Sequence, residues 1–339
     1  MNSKIKSFLK IAIPFLIGFL LIYLYFKQLT PKDIEDIKNA IKGANYFMLL
    51  ISVFFTLLSD IFRSWRFKNL IDATGQKITF MKSFHAVNVN YLVNLGIPRA
   101  GELARCGVLA TYDNIPINKS LGVLINERIV DLILLLFVGG LTLLFQYTVF
   151  VSFYNEYMGA TVKSVIDWFF LHPVVAVILG IVLIIGFYVF TRFLFSKNKS
   201  TGKITSIING FKDGILSVVR LKKPWLFVFQ SLAIWVCYFF MIYFVTKTLP
   251  QSSFLGFDAT LAILFFGTFG FLATPGGIGS YPIIVGLLLA LYGLEMHIGT
   301  TLGWITYVGQ TILILFLGLF SFIMLGREKA KLKLLSTDE

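Results

Sequence analysis

The chain has 339 residues, 57% of them hydrophobic and only 14% charged, whereas soluble domains carry about 25% charged residues. That composition does not fit a water-soluble enzyme, and apolar runs of spanning length recur from Phe8 to Leu325, so an all-α polytopic membrane protein is expected. The net charge of +13 reads as basic loops kept on the cytosolic side, with no call for nucleic acid, and continuous runs such as Val174 to Phe190 lack the alternation of a β-barrel.

In chain order, Lys4, Lys6 and Lys10 precede an apolar run from Ile11 to Phe26 with no small-residue cleavage site after it, so the run is expected to stay as a first span. Full spans are predicted near residues 8–26, 46–62, 120–145, 168–191, 224–247 and 300–325. Residues 80–112 and 258–294 differ, because Pro and Gly interrupt each at its middle and leave limbs too short to cross about 30 Å of hydrocarbon. Both are predicted to be re-entrant hairpins. An amphipathic helix with Ile34, Ile37 and Ile41 is expected after Thr30, with Pro31 in its first turn and Asp33 completing a capping box. A second one carries Ile204, Ile207, Ile208, Phe211 and Ile215.

Arg63, Arg66, Lys68, Lys77 and Lys82, the segment from Arg192 to Lys223, and the run from Arg327 to Lys333 are assigned to the cytosol by the positive-inside bias. The outer segment with Lys27, Lys32, Lys38 and Lys42 beside Asp33, Glu35 and Asp36 fits that bias less well. Both termini then face the cytosol, and the two hairpins dip in from opposite faces. Residues 1–165 and 166–339 read as halves of an inverted-topology repeat, with Pro98 matched to Pro275 and Asp131 to Thr311.

The first hairpin turn carries Arg99, Glu102 and Arg105, and the third predicted span carries Glu127, Arg128 and Asp131. Charges at that depth cost several kcal/mol unless paired or hydrated. Glu102 lies three residues from both Arg99 and Arg105, so a purely structural ion-pair lock and a lock that also touches substrate both stand at this point. His85 lies on the first limb with Asn88, Asn90 and Asn94; it is a hydrogen-bonding packer or a proton relay, the first reading being the commoner. The second turn, Pro275-Gly-Gly-Ile-Gly279-Ser280, brings Gly276, Gly277 and Gly279 to a place where backbone can approach a ligand closely. Ser280 is expected to cap the returning half-helix, whose free N–H groups suit an anion. A tight packing turn is the simpler alternative. Cys106 and Cys237 show no metal-ligand spacing, no metal or cofactor is expected, and P-loop, zinc-protease and serine-hydrolase patterns are missing.

Arg63-Ser-Trp65-Arg66, Pro98-Arg-Ala-Gly-Glu102-Leu-Ala-Arg105, Glu127-Arg128-Ile-Val-Asp131 and Pro275-Gly-Gly-Ile-Gly279, in this order and spacing, resemble the flippase-like membrane domain of bacterial lysylphosphatidylglycerol synthetases. The resemblance covers nearly the whole chain and implies a stand-alone member without the cytosolic synthetase domain. It implies no enzyme but a translocator in the cytoplasmic (inner) membrane, moving a phospholipid or a polyprenyl-phosphate lipid between leaflets. Arg99, Glu102, Arg105 and Arg128 with Gly276, Gly277, Gly279 and Ser280 would bind the headgroup; Glu102, Glu127, Asp131 and His85 are candidates for proton coupling. The rival is a non-transporting partner or scaffold that docks a cytosolic or membrane lipid-modifying enzyme on the basic segment from Arg192 to Lys223.

Overall fold

The structure, a computed structural model, describes residues 30–97, 99–158 and 203–335, together with Tyr23 and Lys27. Tyr23 apart, the spans expected at 8–26 and 168–191 lie outside them, as does the boundary between the halves. The described residues form eleven α-helices and no strand. In chain order these are α1 (Pro31–Lys42), α2 (Tyr46–Ala73), α3 (Phe80–Gly96), α4 (Ala100–Tyr112), α5 (Ile117–Phe145), α6 (Tyr147–Phe153), α7 (Lys203–Ile215), α8 (Pro224–Thr246), α9 (Phe257–Ala273), α10 (Ser280–Ala290) and α11 (Met296–Leu335).

Helix α1 starts as its sequence dictates. The Asp33 N–H donates to Thr30 Oγ1 at 3.2 Å and the Thr30 N–H donates to Asp33 Oδ2 at 2.7 Å, which pairs two backbone donors that a helix start otherwise leaves free. The backbone and hydroxyl hydrogen bonds from Thr30 hold the Asp33 carboxyl below the ordinary carboxylate range.

Four helices, α2, α5, α8 and α11, are long and apolar enough to cross a membrane. With 28, 29 and 23 residues, α2, α5 and α8 reach roughly 35 to 44 Å. The two hairpins cannot: α3 and α9 have 17 residues each, α4 has 13 and α10 has 11, or roughly 16 to 26 Å. Each pair stops partway and turns back, as the broken patterns predicted.

The first hairpin is fastened at the basic end of the bundle. There Ser83 Oγ donates to the Ser64 carbonyl (2.6 Å) and Lys82 Nζ reaches Glu328 (2.5 Å). The second hangs from the other end, where the Asn45 N–H donates to the Thr248 carbonyl (2.7 Å) and Lys247 Nζ donates to the carbonyls of Ser253 and Leu255 (2.6 Å each). Helices before residue 158 and helices after residue 203 also pack on one another. Helix α1 packs on α11 and α7 packs on α5; α3 packs on α11 and α9 on α5; α2 lies along α8. Two apolar clusters follow, one around Phe67, Ala86, Leu109 and Val123, the other around Val245, Ala262, Phe266 and Leu288.

One expectation is corrected. Arg63 and Arg66 are expected beyond the end of the second span, on its cytosolic side, but α2 runs on to Ala73 and buries both, with Arg66 at 0% exposure. The positive-inside bias counts basic residues in loops, and here acids on α5 draw two of them into the helix interior instead.

Candidate functional site

The two hairpin tips meet. The first limb, α3, packs against the turn at Pro275–Gly277, and a cavity of about 340 Å³ opens where they touch. Tyr91, Asn94 and Leu95 of the first tip line it, as do Thr268, Phe271 and Gly276 of the second. Thr56, Ser59 and Asp60 of α2, Tyr238 and Met241 of α8, and Tyr307, Gln310 and Thr311 of α11 add to the wall, and Ile242, Ile263, Leu264, Tyr281 and Ile314 make most of the rest apolar. Its surface therefore mixes hydroxyls and amides with apolar side chains, which suits one end of an amphiphile.

Each tip has a local reason to turn. In the first, Arg99 takes the left-handed conformation (φ 64°) and stays exposed. Asn94 then reaches across: its Oδ1 accepts from the Gly101 N–H at 2.8 Å, capping α4 from the opposite limb. A methyl at Gly101 would run into the Asn90 carbonyl, so the limbs can approach only because this residue has no side chain. In the second tip Gly276, Gly277 and Gly279 all have positive φ (62°, 80° and 76°), which makes a three-residue reversal possible. Ser280 does not cap α10 as expected. It is the first helical residue, and its hydroxyl donates to the Gly270 carbonyl (2.6 Å) and shares a hydrogen bond with Thr274 Oγ1 (2.6 Å), tying the two limbs together.

Below the cavity lies a buried charged network. Arg105 Nη1 pairs with Glu127 Oε2 at 2.7 Å, and the guanidinium sits 3.4 Å from the centre of the Phe67 ring. Arg66 bridges Glu127 (3.6 Å) and Asp131 (2.9 Å); Arg63 pairs with Asp131 at 3.3 Å and donates to the Tyr238 hydroxyl at 2.8 Å. Tyr238 also lines the cavity, so the network touches it through that phenol. Every arginine here has an acid within reach, although the three of them share two carboxylates.

The residues nominated from sequence are thus divided. Arg105, Glu127 and Asp131 come together in the network. Glu102 pairs with neither Arg99 nor Arg105 but with Arg128, at 2.9 Å on a half-exposed surface of α4 and α5. Arg99, Arg105 and Arg128 do not converge on one place. Gly276 reaches the cavity; Gly277, Gly279 and Ser280 shape the turn behind it, and the Gly277 N–H is taken by the Thr274 carbonyl at 3.0 Å. His85 Nδ1 lies 3.0 Å from Ser321 Oγ and fastens α3 to α11, outside the cavity wall.

The residue that sequence reasoning missed is Asp60. It is buried, lines the cavity, and its carboxylate has no hydrogen bond or ion pair among the described residues. A signal existed, since Asp60, Arg63 and Arg66 recur at three-residue spacing on one face of α2. A second cavity, of about 580 Å³, lies at the basic end between the ends of α2 and α8, lined by Asn69, Asp72, Lys77, Arg220, Lys222 and Lys223.

The family described as the lysylphosphatidylglycerol synthase TM region matches residues 10–318. No curated protein and no solved structure matches the chain. With four spanning-length helices and two hairpins among its described residues and a match over nearly its whole length, this membrane protein belongs to the family of the transmembrane region of lysylphosphatidylglycerol synthase.

Proposed function

We propose that the protein translocates a phosphate-bearing lipid between the leaflets of the cytoplasmic membrane, and that it does so without covalent chemistry. The observation that carries this reading is the cavity shared by two hairpin tips that come from opposite ends of the bundle. Its volume of about 340 Å³ lies in the range of small-ligand sites, enough for a headgroup but not for two acyl chains, which would stay in the bilayer. The packing of helices before residue 158 on helices after residue 203 is what an inverted repeat produces, and such a repeat can open a central site to either face by rocking. The basic end would face the cytosol.

In this reading Asn94, Gln310 and Tyr238 offer donors to phosphate oxygens, with Arg63 strengthening the Tyr238 contact from behind. Gly276 lets the backbone come close. Asp60 is the acid free to answer an amine on the headgroup or to carry a proton, because Glu102, Glu127 and Asp131 are already engaged by arginines. A headgroup with both phosphate and amine would use the polar side of the wall, leaving Ile242, Ile263, Leu264 and Ile314 to the apolar stem that joins it to the tails.

The test is lipid movement in liposomes holding the purified protein, read by quenching of a labelled phospholipid in the outer leaflet. Asp60→Asn is expected to slow exchange by about tenfold or more, a change of about 1.4 kcal/mol in the barrier. Arg99→Ala separates the two placements of the site: loss of rate there with Asp60→Asn unaffected returns the site to the hairpin arginines. Wild-type rates equal to protein-free liposomes favour the rival reading, in which a lipid-modifying enzyme docks on the basic groove around Lys222 and Lys223.

A further inference from the structure

At the end of the bundle opposite that groove, the start of α11 meets α1, and four side chains from two distant parts of the sequence gather there. His297 Nε2 lies 3.3 Å from Glu295 Oε2 and 3.8 Å from Asp36 Oδ2, while its Nδ1 faces Asp33 Oδ1 at 3.4 Å. One donor atom each from Asp36, Glu295 and His297 fits within 4.8 Å of the others. From these contacts we propose that Asp36, Glu295 and His297 bind one divalent transition-metal ion of the zinc type, with Asp33 as the carboxylate that orients the imidazole from its far side.

Charge is the first argument. The chain has 30 Lys and Arg against 17 Asp and Glu, so an acid should find a basic partner easily. Yet among the described residues no Lys or Arg pairs with Asp33, Asp36 or Glu295; the cation within 4 Å of any of them is His297 alone. Even a protonated imidazole would leave three carboxylates facing one positive charge. A bound dication removes that imbalance.

Geometry is the second, and it is independent of the first. His297 Nε2 is buried and makes no hydrogen bond, although two carboxylates flank it. Ligand atoms at about 2.0 to 2.2 Å from a tetrahedral ion lie roughly 3.3 to 3.6 Å apart, and the 3.3 and 3.8 Å separations here come close to that edge. The other ring nitrogen faces a carboxylate, the arrangement that fixes the tautomer of a metal-bound histidine. Asp33 is itself held in place, because its Oδ2 accepts from both the N–H and the hydroxyl of Thr30 at 2.7 Å. Its Oδ1 is left for His297. A nitrogen ligand favours zinc-like ions over calcium or magnesium, which take oxygen. Glu295 is largely exposed at 72%, which leaves room for a water as fourth ligand. The ligands lie some 260 positions apart, so no spacing motif could reveal them. An ion here would clamp α1 onto α11, and the inference stands apart from the translocation reading.

Tag-free full-length protein in detergent, stripped with a chelator, would be titrated with ZnCl2 and CoCl2. Wild type is expected to retain one zinc per chain after desalting and to give the visible absorption of tetrahedral cobalt. His297→Ala should lose both signals, and Asp33→Asn should bind about 10- to 100-fold more weakly. Asp36→Asn is the second ligand variant should His297→Ala fail to elute as folded protein. Zinc retention by wild type no greater than by the ligand variants, or displacement of zinc by equimolar calcium, overturns the proposal. An unchanged affinity in Asp33→Asn removes Asp33 from it.

Discussion

The two hairpins end the chain in the middle of an apolar bundle by opposite means. The first uses polar side chains: Asn94 caps its own return limb, and Arg105 on that limb is anchored by Glu127. The second uses small residues and the backbone: glycines reverse the chain, Tyr281 packs against Gly267 and Gly270, and one hydroxyl, that of Ser280, bridges the limbs. Both answer the same requirement, since backbone groups at that depth have no water to bond and must be satisfied within the protein. The difference teaches where each is vulnerable. The first depends on charge balance, the second on close fit.

The sharpest way to separate them is Glu127→Ala. It leaves Arg105 buried without its partner, and a broken buried pair costs about 3 to 5 kcal/mol; thermal unfolding in detergent should show the loss, and Arg105→Met with Glu127→Leu should recover much of it. A comparable loss from a single substitution of Ser280 would break the contrast. Next in size come methyl additions at the crossing points. Gly101→Ala meets the Asn90 carbonyl, and Gly270→Ala places a methyl 2.7 Å from Tyr281 Cα, so each should destabilise by about 1 to 3 kcal/mol. Denaturant midpoints would rank the two, with Gly101 expected first because the obstructing atom is a carbonyl held in a helix. Ser280→Ala should have the smallest effect, about 0.5 to 1.5 kcal/mol for the limb-to-limb bond to the Gly270 carbonyl, because Thr274 Oγ1, released from its hydrogen bond with Ser280, is free to donate to the Ile278 carbonyl at 2.9 Å and keep the turn closed.

Much of this architecture can be read from the sequence, and the parts that cannot share a cause. Spans 46–62, 120–145, 224–247 and 300–325, both hairpins and the Thr30–Asp33 cap rest on local pattern, and the helices stand where that pattern puts them. Arg63 and Arg66 break the local rule because their partner, Asp131, lies more than sixty residues away and nothing near them announces it. Asp60 was hidden by the same error, since ending the span at residue 62 puts it at an interface instead of inside. Glu102 shows the limit of helical spacing: two arginines stood three residues away on its own helix side, and a third, on α5, took the pair.

The packing of early helices on late ones bears on how the molecule is made. Because α11 holds the limb α3 and α5 holds α9, the first hairpin lacks one of its supports until α11 has left the ribosome. Early polar groups, Lys82 and His85, must wait in the membrane for Glu328 and Ser321 of α11, synthesised much later. Assembly is therefore a late, whole-chain event, and a chain cut short before α11 would leave the early segment inserted but short of that support, an obvious substrate for membrane proteases.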